Sequence, residues 1–130
     1  MYTLKALAAV AVMVGPLMVP TFAQDSALDP TGSFVDEWGT TFTFSLCGDG
    51  TELCATLDVL EGDSATEENL AYVGSQVVQA LPAGPSVWKG TIDAGGLSGE
   101  TTITQTGPDT IDIEGCRAIV CHTLTYTRVQ

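Results

Sequence analysis

Four cysteines, one histidine and 16 acidic residues are the groups in this chain that could do chemistry, and their spacing decides which chemistry is open to them. The cysteines fall in two pairs, Cys47 with Cys54 and Cys116 with Cys121. Neither interval matches a zinc knuckle or the C-x-x-C of a redox site, so structural disulfides are the expected use of the thiols. His122 is the only histidine, and no serine elbow or Cys-His pattern accompanies it. A general base needs a nucleophile and an orienting partner, so no catalytic residue is expected and the chain does not read as an enzyme. Asp49, Glu52, Asp58, Glu61 and Asp63 are clustered in sequence without the ligand spacing of a calcium loop. They are expected to form a solvated rim, with no metal and no cofactor.

The compartment follows from the N-terminus. Residues 1–23 carry Lys5, an apolar run from Ala6 to Val14, a Gly15-Pro16 break and the ending Thr21-Phe22-Ala23. That is the layout of a cleaved secretory signal peptide, and its apolar run is too short to span a bilayer. Localisation in the periplasm or outside the cell is therefore expected, with no membrane span in the mature chain. After cleavage Lys89, Arg117 and Arg128 are the only cations set against the 16 acids. So acidic a surface repels nucleic acid and anionic lipid alike, which excludes both as partners.

The elements that must position these groups are strands. Residues 24–31, with Asp29-Pro30, read as a flexible lead-in, and residues 32–130 as one domain. Phe34, Asp36 and Trp38 share a face if extended, and Gly39 ends that segment. Phe42, Phe44 and Leu46 then alternate with Thr41, Thr43, Ser45 and Cys47. Gly48-Asp49-Gly50 turns the chain, and Leu53, Ala55, Leu57 and Val59 point inward on the return. Ser64-Ala-Thr-Glu67 is a capping-box pattern, and Leu70, Val73, Val77 and Leu81 keep helical spacing. The pattern predicts at most a short helix near 65–72, followed by a loop from Leu81 to Pro85. Beyond it, Trp88, Gly90 and Ile92 share a face, Gly99 to Gln105 forms a Thr-rich strand, and Ile111 and Ile113 point inward. In the last strand Val120, His122, Leu124, Tyr126 and Arg128 fall on one side. Short strands about ten residues apart, separated by Gly and Pro turns, are the pattern of an antiparallel sandwich or barrel.

On that alternation all four cysteines lie on the outer face near turns. Local pairs Cys47–Cys54 and Cys116–Cys121 are expected, because each closes a loop whose ends a hairpin already brings together. A Cys47–Cys121 bridge stays open if the two hairpin tips share a rim. The candidate lining for an apolar ligand is Trp38, Phe42, Phe44, Trp88, His122, Leu124 and Tyr126. The same side chains could instead fill a small barrel.

Several of these stretches together resemble an exported bacterial family catalogued as domain of unknown function 2147. They are Gly32-Ser-Phe34, Cys47-Gly-Asp-Gly-Thr-Glu-Leu-Cys54, Trp88-Lys-Gly90-Thr-Ile, Ile113-Glu-Gly-Cys116 and Thr125-Tyr-Thr-Arg128-Val129. The resemblance implies a small up-and-down β-barrel of the lipocalin or calycin kind, with about eight short strands and no assigned activity. It also implies that Tyr72 to Leu81 is mostly strand. In such barrels a Gly-x-Trp near the start meets an arginine on the last strand, and the matching positions are Gly32, Phe34 and Arg128. These form the expected structural plug, with the guanidinium over the Phe34 ring. Phe34 and Tyr126 replace tryptophans usual in the family, and the segment between Ile92 and Thr101 is shorter. The functional expectation is an exported non-enzymatic barrel with a small apolar ligand in its interior. The alternative is an envelope or secreted protein-interaction module with a filled core, its partner another envelope protein.

Overall fold

The computed structural model describes residues 28–130; the signal peptide expected at residues 1–23 and the start of the expected lead-in, residues 24–27, lie outside the described residues. Eight strands follow one another: β1 (Gly32–Val35), β2 (Thr41–Cys47), β3 (Glu52–Val59), β4 (Gln76–Gly84), β5 (Val87–Ile92), β6 (Gly99–Gly107), β7 (Thr110–Arg117) and β8 (Val120–Arg128). Each pairs antiparallel with the next, and β8 returns to β1 to close an up-and-down barrel. Closure pairs the backbone groups that an open sheet would leave along its edges.

Alternation along the strands builds the core. Phe42, Phe44, Leu53, Ala55, Leu57, Val78, Ala80, Trp88, Ile103, Ile111, Ile113 and Tyr126 are buried inside. Several residues expected inward are exposed instead, Leu46, Val59 and Val120 among them. The register explains Val59. Thr41 faces Val59 while Phe42 faces Leu57, so Asp58 is an extra residue on β3 that reverses the alternation and sends Leu60 inward in place of Val59. Leu46 and Val120 stand at strand ends beside turns, where the barrel no longer encloses them.

Residues 60–85 depart furthest from the pattern. The helix is one turn, α1 (Glu67–Leu70), and Thr66 caps it by accepting the Asn69 N–H. The helical spacing beyond it is accidental, since Leu70, Val73 and Leu81 are all exposed and only Val77 joins the core. Strand begins at Gln76, four residues later than the family resemblance implies. The loop expected at Leu81–Pro85 is corrected: β4 continues to Gly84, with Pro82 opposite Trp88. A proline fits because β3 pairing ends at Ala80, so past that point β4 has a partner on one side only.

Because the strands alternate in direction, their connections alternate between two ends. The β2–β3, β4–β5 and β6–β7 turns lie at the lower end with the start of β1 and the finish of β8. The four other connections lie at the upper end. The cysteine pairs are thus at opposite ends, Cys47–Cys54 below with Cα atoms 6.0 Å apart and Cys116–Cys121 above at 4.0 Å. Both are disulfide-bonded, and a Cys47–Cys121 bridge is excluded by the topology. Such bonds belong to an oxidising compartment.

The lower end is shut. Arg128 donates from Nη1 to Thr31 O at 2.6 Å, from Nη2 to Asp29 O and Pro108 O at 2.8 Å each, and from Nε to Asp109 Oδ1 at 3.1 Å. Its guanidinium carbon stands 4.6 Å from the centroid of the fully buried Phe34 ring. Gln105, buried on β6, adds a bond from Nε2 to Asp29 O. Residues 29–31 are thereby strapped across the base. Gly32 is required there: its φ is +122°, and a Cβ would come within 2.8 Å of Arg128 Nη1. Trp88 donates its indole N–H to Thr51 O at 3.0 Å, tying β5 to the lowest turn.

The ion pair with Asp109 is not what matters in this plug, because the Asp109 side chain is 59% exposed and such pairs contribute little. The three carbonyls are bonded by a charged donor, and the bond to Thr31 O is partly buried, so together they contribute more. Arg128→Ala is therefore expected to lower stability by about 2–4 kcal/mol in urea denaturation, and Asp109→Asn by less than about 1 kcal/mol. Arg128→Lys, without the planar fork, should recover less than half of the loss. Equal effects of the Ala and Asn substitutions would show that the ion pair dominates.

Candidate functional site: the upper mouth of the barrel

The upper end is built from the residues that follow each inward strand. Residues 36–40 fold back between β1 and β2 around one carboxylate. Asp36 Oδ1 accepts the N–H groups of Trp38 and Thr40, each at 2.9 Å, and the Asp36 N–H donates to Thr40 O. This turn fixes Asp36 at the inner wall, where it is only 8% exposed. The β3–β4 connection contributes Leu60, Glu61, Asp63 and Ser64, the last two within a 3-10 turn at Gly62–Ser64. The β5–β6 connection contributes Ala94 and, from the 3-10 turn Gly95–Leu97, Leu97. Asn69 joins these two connections: its Oδ1 accepts from Gly96 N at 2.8 Å and its Nδ2 donates to Ser64 O at 3.0 Å.

These segments surround a cavity of about 310 Å³ that opens at the upper end. Its depth is apolar, with Phe42, Leu57, Val77, Ile92, Ile113 and Tyr126 contributed by the strands. Its rim is acidic, with Glu61 and Asp63 beside Trp38 and His122. Such a volume is at the small end of ligand sites, and an apolar interior with a few polar groups is their usual composition.

Of the residues expected to line a ligand site, five do: Trp38, Phe42, His122, Leu124 and Tyr126. Trp38 stands at the edge, 60% exposed, and not in the interior. His122 and Leu124 are also exposed, because β1 is short and meets β8 only at Phe34–Arg128 and Val35–Thr127. The upper half of β8 therefore has no partner on that side. Phe44 and Trp88 are corrected: both are buried, neither touches the cavity, and both pack the lower half of the barrel. Phe44 stacks edge-on with Phe34 at 5.6 Å between centroids, and Phe42 bridges from it to Tyr126 at 5.5 Å. The aromatic set thus divides by height, with filling below and lining above.

Sequence reasoning missed Asp36, Leu57, Leu60, Val77, Ile92, Leu97 and Ile113 as lining. Their signal was present for the strand residues, since each is an inward position in the upper half of its strand. The five acids named together also separate. Asp49 and Glu52 sit at the lower turn, Asp58 accepts from Thr43 on the outer wall, and only Glu61 and Asp63 reach the mouth. Among the described residues one group comes within metal-ligand distance, Glu114 with Cys116 and Cys121. Its sulfurs are bonded to each other, which leaves a single carboxylate there.

Comparison with protein-family models, with curated proteins and with solved structures found no match to this chain.

Tyr126 links the wall of the cavity to Asp36. Burial of the phenol raises its pKa above the ordinary tyrosine value, and the neighbouring Asp36 carboxylate raises it further. The native state therefore keeps a proton that the unfolded chain loses above about pH 10. This contribution to stability is complete below about pH 10, and it falls by about 1.4 kcal/mol per pH unit as pH rises from there toward the native pKa. Urea midpoints measured between about pH 8 and about pH 11 should decline in the native sequence and decline less steeply in Tyr126→Phe. Identical alkaline slopes in the two proteins would show that Tyr126 is not the buried titrating group.

Proposed function

We propose that the protein is an exported, non-enzymatic barrel that holds a small apolar ligand in its upper mouth. The observation that carries this reading is the cavity of about 310 Å³, open at one end and apolar in its depth, above a core that is filled and strapped below. The leader-like N-terminus and the two disulfides support an oxidising compartment outside the cytoplasm. The apolar lining supports binding, with His122 exposed at the rim and making no side-chain hydrogen bond among the described residues.

A second reading, docking to another envelope protein, is favoured by one observation. Ile119 is 96% exposed at the tip of the β7–β8 hairpin, and the Cys116–Cys121 bridge holds that tip rigid. On this reading the tip and not the cavity makes the contact.

A neutral apolar dye, N-phenylnaphthylamine, tests the first reading. It should gain fluorescence on binding the native protein. Val77→Phe and Ala94→Leu, which fill the cavity from its wall and its roof, should weaken binding by at least about tenfold with the melting temperature maintained. Binding that survives both substitutions unchanged would put the dye elsewhere on the surface.

A further inference from the structure

The cavity has a charge asymmetry that an apolar ligand alone does not explain. Asp36, Glu61 and Asp63 all line it, and no lysine or arginine does. Among the described residues the only salt bridge is Arg128–Asp109, at the far end of the barrel. Arg117, the one arginine near the upper rim, is turned outward onto the carbonyls of Gly96 and Ser98. Lys89 lies on β5, exposed between the inward positions Trp88 and Gly90. The mouth is therefore an acidic entrance with no lysine or arginine in its lining.

Asp36 makes this more than a solvated acidic rim. It is almost wholly buried, belongs to the wall of the cavity and has no salt-bridge partner among the described residues. Two backbone N–H groups hold Oδ1, which fixes the carboxylate in place and leaves the rest of it toward Tyr126 and the cavity. A fixed carboxylate beside an apolar space strongly favours a ligand that brings a positive charge, because the pair forms where little water competes. Phe42 and Tyr126 present aromatic surface in the cavity and Trp38 at its edge, which suits an ammonium group as well. An anionic amphiphile meets repulsion from the three carboxylates and from the whole acidic surface.

From this juxtaposition of a buried Asp36, without a salt bridge among the described residues, with an apolar cavity and an acidic mouth, we infer that the ligand is a cationic amphiphile: an alkyl or aromatic body carrying an amine or quaternary ammonium head. The inference rests on the cavity-binding reading above and adds the head group to it. The body occupies the space between Phe42, Leu57, Val77 and Ile113, and the head stays at the level of Asp36 with Glu61 and Asp63 at the entrance.

Calorimetric titration with octylamine, octanol and octanoate separates body from head, since the three share one chain. Octylamine is expected to bind at least about tenfold more tightly than octanol, and octanoate more weakly than either. Asp36→Asn retains an oxygen for the Trp38 and Thr40 N–H groups, and it should bring the ratio of octylamine to octanol affinity close to one. Should that variant fail to fold, Glu61→Gln combined with Asp63→Asn serves in its place and should reduce the preference by about threefold or more. Equal affinity for octylamine and octanol in the native protein, or a preference that persists with all three acids neutralised, would overturn the inference and leave the cavity reading standing. Failure of all three compounds to bind at the mouth would overturn both.

Discussion

The guanidinium of Arg128 sits where four separate pieces of chain meet: the strap at residues 29–31, the first strand, the β6–β7 turn and the end of the last strand. The strap and the β6–β7 turn present carbonyls and a carboxylate, the first strand presents the ring of Phe34, and one planar cation carried by the last strand joins them. The pairing of β1 with β8 is only two residues long, so main-chain bonds alone hold the barrel's closing seam weakly. Arg128 lies at that seam and reinforces it. Gly32 is the complementary constraint, because any side chain there would displace the guanidinium.

Closure at one end gives the other end its character. An eight-stranded barrel has an interior just wide enough for side chains, and here the lower half is filled by Phe34, Phe44, Leu53, Trp88, Ile103 and Ile111. Above Phe42 and Tyr126 the filling stops. Three of the four connections there are longer, and one of them, the β1–β2 turn, places a carboxylate on the inner wall. The result is a vessel with a hydrogen-bonded base, an apolar upper chamber and an acidic lip. On the proposed reading, shape in the chamber and charge at the lip would together select the ligand.

Much of this was legible in the residues. The alternation of Phe42 and Phe44 with threonines gave the inward face of β2, and the same argument holds for Leu53, Ala55, Leu57, Ile111 and Ile113. The two disulfides follow from hairpins that already bring Cys47 to Cys54 and Cys116 to Cys121. Alternation reports which side of a sheet a residue faces, however, and not how far along the barrel axis it sits. That is why Phe44 and Trp88 read like Phe42 and Tyr126 although they fill the base, and why the two cysteine hairpins could be imagined at one rim. Asp58 shows a second limit, since a one-residue bulge reverses the face of Val59 without any glycine to announce it. At Leu70, Val73 and Leu81 a helical spacing arose with no helix beneath it, and Pro82 continued a strand because its free side had no partner to lose. The carboxylate of Asp36 gave no signal of its own, because its burial depends on a turn whose geometry only the fold supplies.

The central claim is that one end of the barrel is sealed and the other receives a ligand, and amide chemical-shift mapping with octanol tests it most directly. The account predicts saturable shifts at Phe42, Leu57, Val77, Ile92, Ile113 and Tyr126, with Gly32, Phe34, Ile103 and Arg128 unmoved. Shifts scattered over the outer wall, or centred on the Arg128 end, would contradict it.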